Sequence, residues 1–129
     1  MKRLIVAVMA LTLCASLSFA QQSSKISLRP LVINTNQLSK FLALDNNQLQ
    51  EVSDINAYFI EKQEEVFKYN TGLQEQKKKE AIYGNLKLMK EVLNTEQYRK
   101  YVALVNVTNN NYLQEEALLH TDLQFAKND

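Results

Sequence analysis

The 129-residue chain has no tryptophan, one cysteine, one proline, two glycines and one histidine. Each scarcity removes a class of protein. Turn-rich all-β architectures use more glycine and proline, and no long window alternates strictly between apolar and polar residues, so the expectation is all-α. A single cysteine, Cys14, can neither close a disulfide within the chain nor build a clustered zinc site. The single histidine, His120, has no local nucleophile or orienting acid around it, as nucleophilic catalysis would need. A di-metal site in a helical bundle wants Glu-x-x-His motifs on facing helices, and a phosphate site wants a glycine-rich loop; the sequence has neither. The carboxylates of Glu61, Glu64 and Glu65, and of Glu115 and Glu116, have the spacing of solvated helix faces, with Glu64 and Lys68 at i,i+4. The chain reads as a non-enzyme without cofactor or metal.

What is present begins with MKRLIVAVMALTLCASLSFA. Lys2 and Arg3 give a positive start, Leu4 to Leu13 an apolar run, and Ser18 and Ala20 the small residues of a cleavage site before Gln21. This is the pattern of a secretory signal peptide over residues 1–20, too short for a permanent membrane anchor. Leu13 stands where lipid attachment to Cys14 would need a small residue, so Cys14 is expected to leave with the signal. The expected location is the periplasm or the exterior, after cleavage. About 109 residues then remain, enough for one small domain. Losing Lys2 and Arg3 takes the basic count from 15 to 13 against 14 acidic residues, a net charge of −1. That balance calls for neither nucleic acid nor an anionic membrane surface.

Residues 21–34 start polar and become an apolar arm of Ile26, Leu28, Leu31, Val32 and Ile33, with Pro30 pushing Arg29 towards extended backbone. The arm is read either as laid across the helices or as a segment that closes over a groove. Residues 35–129 are the helical domain, a small bundle or bent helical hairpin of three to five helices. A short helix capped by Thr35 or Asn36 comes first. From Asn46 the residues Leu49, Val52, Phe59, Ile60, Val66 and Phe67 form one stripe, with Asn56 and Gln63 filling it. If that helix runs to Tyr69 it is about 36 Å long. Asn70-Thr71-Gly72 offers a stop and restart, Gly72 suiting a left-handed position and Thr71 a cap; one bent helix through it is the alternative. Lys77, Lys78 and Lys79 lie in a segment polar all round and read as a solvated face. Gly84, inside the next helix, suggests close packing on a neighbour. On the last helix Tyr98, Tyr101, Val102, Val105, Tyr112, Leu113 and Leu119 share a face that Asn109 and Glu116 interrupt, and the run TNNNY is expected to bend or fray it.

Two stretches echo each other. Leu44-Asp45-Asn46-Asn47-Gln48 and Leu93-Asn94-Thr95-Glu96-Gln97 each place leucine, a capping residue and then glutamine at the third helical position. With Asp45 and Asn94 as N-caps, Gln48 and Gln97 complete capping boxes, and Leu44 and Leu93 stand where hydrophobic staples form. Tyr58, Tyr69, Tyr101 and Tyr112 are the candidate partner-binding residues; Tyr58 and Tyr69 fall together on the face opposite their helix's apolar stripe, and paired tyrosine on a polar face is what adaptable binding surfaces use.

The paired boxes in a small exported helical chain resemble the Spy/CpxP group of periplasmic proteins, whose mark is a twice-occurring L-T-x-x-Q motif. Leu44, Gln48, Leu93 and Gln97 match it, while Asp45 and Asn94 replace its threonines. The resemblance spans roughly residues 38–118 and implies a bent, all-α, dimeric cradle acting as an ATP-independent chaperone or a stress-response modulator. The chain also resembles the small uncharacterised exported helical proteins of gut bacteria. It lacks the basic, methionine-rich concave face of the chaperone members. Two functions are therefore expected in order. The first is a periplasmic, non-enzymatic protein that binds polypeptides or modulates envelope stress. The second is a structural module docking on one envelope partner. The resemblance implies a homodimer, which would cover an apolar side of a few-helix chain; the arm of Ile26 to Ile33 is the competing cover.

Overall fold

The computed structural model describes residues 25–128, so the expected signal peptide and the first residues of the arm lie outside the described residues. Among the described residues there are four helices, one 3-10 turn and no strand. Helix α1 spans Thr35–Leu42, α2 Asn46–Glu65, α3 Thr71–Val92 and α4 Thr95–Asn128, with the 3-10 turn at Val66–Lys68. The all-α expectation is met.

Helix α1 is capped by Asn34, not by Thr35 or Asn36; the Asn34 side chain accepts from the backbone N–H of Asn36 and Gln37. It stops because Ala43 adopts a left-handed conformation (φ 53°, ψ 54°). The N–H of Leu44 then donates to Ser39 and that of Ala43 to Lys40, which closes the helix end in a Schellman arrangement. The left-handed position is thus Ala43; no glycine has positive φ, and Gly72 is an ordinary residue in the first turn of α3.

The chain breaks between α2 and α3 rather than bending through. Helix α2 ends at Glu65, and Tyr69 and Asn70 are extended. Asn70 takes the N-cap place expected of Thr71, and Gln74 donates to the Tyr69 carbonyl. A two-residue connection of this kind folds neighbouring helices back on each other, and α2 with α3 forms the principal helix pair. Leu93 and Asn94 make the second reversal, and α4 packs against α3 and α1. Between them lies the core: Leu38 and Leu42 of α1, Val52 and Phe59 of α2, Ile82, Leu86 and Met89 of α3, Tyr101 and Val105 of α4, closed by Leu31 of the arm.

Two expectations about α3 and α4 fail. A Cβ built on Gly84 meets nothing within 4 Å, so no close approach requires glycine there. The TNNNY segment does not fray and stays helical within α4. Thr108 donates its hydroxyl to the Leu104 carbonyl, a bond a threonine can make within a helix, and Asn109 is buried in a contact described below. Beyond Glu116 the helix continues to Asn128 with every residue exposed.

Candidate functional site

The echo proves to be one contact. Gln48 and Gln97 face each other, the Gln48 amide donating to Gln97 Oε1 at 2.8 Å and the Gln97 amide donating back at 3.2 Å. Each glutamine also accepts from the N–H of its own cap, Asp45 or Asn94. Each cap side chain accepts from the backbone N–H of its glutamine at 2.8 Å. The remaining amide protons reach across: Gln48 donates to the Val92 carbonyl at the end of α3, and Gln97 to the Leu42 carbonyl at the end of α1, both at 3.1 Å. Two orphan helix starts and two orphan helix ends are thereby satisfied together. Leu93 is buried and Leu44 packs against the core. These six residues lock one end of the bundle. Their work is structural, and Gln97 is too buried to offer itself to a partner.

The four tyrosines separate. Tyr101 is fully buried and its hydroxyl donates to Asn85 Oδ1, so it belongs to the core and not to a binding face. Burial pushes its hydroxyl well above the ordinary tyrosine range. Tyr112 is half-buried beneath the Arg29 guanidinium, which stands 4.1 Å from the ring centre. Tyr58 and Tyr69 are brought together on a cleft of about 230 Å³ between α2 and α3. Lys62 stands over the Tyr58 ring at 5.3 Å and Lys77 over Tyr69 at 4.9 Å, each lysine also paired with a glutamate, Glu65 or Glu80. Asn85 lines the same cleft, and its buried Nδ2 has no hydrogen-bond partner among the described residues.

The most developed polar site lies under the arm. From Lys25 to Ile33 the chain has no helix or strand, and it crosses from α4 over α3 to α2. Side chains of the helices bind its backbone at alternate residues. The Ser27 N–H donates to Asn109 Oδ1 at 3.0 Å, and the Asn109 amide donates to the Lys25 carbonyl at 3.5 Å. Lys78 donates to the Arg29 carbonyl at 3.1 Å. The Leu31 N–H donates to Gln63 Oε1 at 2.7 Å while the Gln63 amide donates to the Leu31 carbonyl at 3.1 Å, the two-way exchange one strand makes with another. Asn56 donates to the Ile33 carbonyl at 2.8 Å. Two side chains of the arm add to this, Ser27 bonding to Glu116 and Arg29 pairing with Glu115 at 2.6 Å. The Arg29–Glu115 pair is exposed on both sides and adds little.

Lys78 is the largest departure from the sequence reading. Read as part of a solvated face, it has 0% relative exposure. Its ammonium bonds to Gln63 Oε1 and the Arg29 carbonyl, and burial lowers its pKa from 10.5 to about 8. The signal that marks the site is nevertheless in the sequence. Asn56 and Gln63, Lys78 and Asn85, Asn109 and Glu116 are each seven residues apart, two helical turns on one face. Asn56 and Gln63 of one apolar stripe and Asn109 and Glu116 of another meet the arm, and Lys78 meets it from α3. Among the described residues no group of three or more His, Cys, Asp or Glu side chains stands together as a metal site, and no helix is long and apolar enough to cross a membrane. Comparison with protein-family profiles, with curated proteins and with solved structures finds no match.

Proposed function

We propose that the protein is exported and non-enzymatic, and that it binds polypeptides, as a periplasmic chaperone-like protein or envelope-stress modulator. One observation carries the reading: buried side chains of three helices hold an extended stretch of chain by its backbone at alternate residues. A backbone-directed site accepts many sequences, because every polypeptide offers the same N–H and C=O groups. The cleft with Tyr58 and Tyr69 supports the same reading, offering aromatic rings beside paired charges. The paired boxes and the signal-like leader support the location. The test is light scattering from a client protein induced to aggregate, with and without the purified chain. Suppression at or below equimolar ratio is expected. Unchanged scattering across clients of different fold refutes it.

A second reading has its own observation. The end of α4 exposes Leu118, Leu119, Leu123 and Phe125, each more than half accessible, on a projecting helix. One localised apolar element suits docking on a single envelope partner rather than on many clients. A chain that leaves aggregation unaffected but captures one envelope protein through these residues satisfies this reading.

A further inference from the structure

We infer that the groove beneath residues 25–33 is a binding site for an extended polypeptide strand, that the chain's own arm fills it as a displaceable stand-in, and that the strand it takes carries a small residue, a basic residue and a leucine at alternate positions, as Ser27, Arg29 and Leu31 do. The inference rests on the polypeptide-binding reading and assigns it a site, a register and a competitor.

The groove is built for a strand. Asn56, Gln63, Lys78 and Asn109 are all buried, and each bonds to a backbone group of Lys25, Ser27, Arg29, Leu31 or Ile33, with Lys78 also bonding to Gln63 and Asn56 to the Thr35 hydroxyl. An extended segment buried outside a sheet needs partners for its own N–H and C=O groups, and here side chains of three helices supply them. Those partners suit any strand of the same register, because backbone groups stay constant from one strand to another. The side-chain pattern supplies selectivity. Leu31 is fully enclosed, Ser27 is enclosed against α4 beside Glu116, and Arg29 lies outside over Tyr112 and Glu115. The arm itself is anchored at these points by side chains of the helices. Strand-like residues can therefore leave without breaking any helix, with Asn34 keeping its cap on α1 as the pivot.

The self-occupied groove binds a competitor weakly in proportion to how rarely it is vacant. An arm seated about 99% of the time lowers apparent affinity about 100-fold. A fluorescent peptide with the sequence of residues 25–34, KISLRPLVIN, is titrated by anisotropy into the intact chain and into a Leu31→Ala chain whose own arm fills the groove less well. The peptide is expected to bind the variant at least about tenfold more tightly than the intact chain. A peptide N-methylated at the leucine corresponding to Leu31, or with aspartate there, is expected to bind at least about tenfold more weakly than the parent. Failure of the peptide to bind either chain, or equal binding of the N-methylated peptide, overturns the inference. Should the variant not fold, hydrogen exchange on the intact chain decides. The Leu31 and Ser27 amides must exchange through an opening that leaves the Tyr101 amide protected; exchange of all three together shows a permanent cover and overturns the inference. Suppressed client aggregation with no peptide binding keeps the polypeptide-binding reading and removes this site. Peptide binding without any effect on aggregation keeps this site and removes the chaperone-like activity.

Discussion

Raising the pH from about 7.5 to about 9.5 should stabilise this protein by about 2 kcal/mol, and Lys78 is the reason. Its ammonium is enclosed and its pKa falls from 10.5 to about 8 because burial disfavours the charged form. Below about pH 8 the folded and unfolded chains both carry the proton, and the folded chain bears the full cost of burying it. Between about pH 8 and 10.5 the folded chain has released the proton while the unfolded chain still binds it, so stability climbs with pH. Tyr101 and Tyr98 set the upper limit. Burial raises both hydroxyls above 10.0, so an unfolded chain gains by ionising them near that pH and stability turns down again. Urea unfolding followed by circular dichroism suits a chain without tryptophan. With a slope of about 1–2 kcal/mol per molar urea, the midpoint should rise by about 1–2 M. A Lys78→Met chain, which removes the buried titration, should lose that rise and so subtracts every other titrating group. If the intact chain shows the same flat profile as Lys78→Met, the ammonium is solvated and the account of the groove floor is wrong.

The linked capping boxes predict that Asp45→Ala and Asn94→Ala each cost about 1 kcal/mol with helix content unchanged. Gln97→Ala should cost about 2 kcal/mol, and a cycle with Gln48→Ala should show about 1 kcal/mol of coupling; additive losses by thermal or urea denaturation would dissolve the link. Ala43→Gly should stabilise by about 1 kcal/mol, since glycine accepts the left-handed conformation without strain. Gly84→Ala should also stabilise, by up to about 1 kcal/mol, because the added methyl meets open space within a helix. Leu31 of the arm closes the core, which makes the arm the competing cover to a homodimer; sedimentation equilibrium at micromolar concentration separates the two, a monomer favouring the arm and a dimer the pairing of like helix faces.

How far the sequence could be read follows from the range of each interaction. Caps are local: Asp45, Gln48, Asn94 and Gln97 declare their roles within four residues, and the structure places each in that role. That the two glutamines would bond to each other across 49 residues was not legible, because a capping box carries no information about what its spare amide protons meet. Amphipathic stripes exposed the helices and most of the core. Lys78 has no local mark of burial: in a run of lysines and glutamates nothing nearby in sequence separates the one that turns inwards. Its partners, Gln63 and the Arg29 carbonyl, are distant in sequence, and its burial depends on a strand the periodicity cannot place. Tyr101, a candidate for partner binding, lies on a stripe that Asn109 and Glu116 interrupt. Those residues in fact face the arm. Polar residues seven apart within an apolar stripe were the available clue. Reading them as recognition groups rather than interruptions would have led to the groove.

The polypeptide-binding claim is tested most directly by titrating the intact chain against one client in two forms, native and permanently unfolded by reduction and alkylation of its cysteines, with binding followed by calorimetry. The unfolded form is expected to bind, with a negative heat-capacity change from apolar burial, and the native form is not. An excess of the residue 25–34 peptide is expected to weaken the interaction. Absence of binding to the unfolded form, or equal binding to both forms, would contradict the claim.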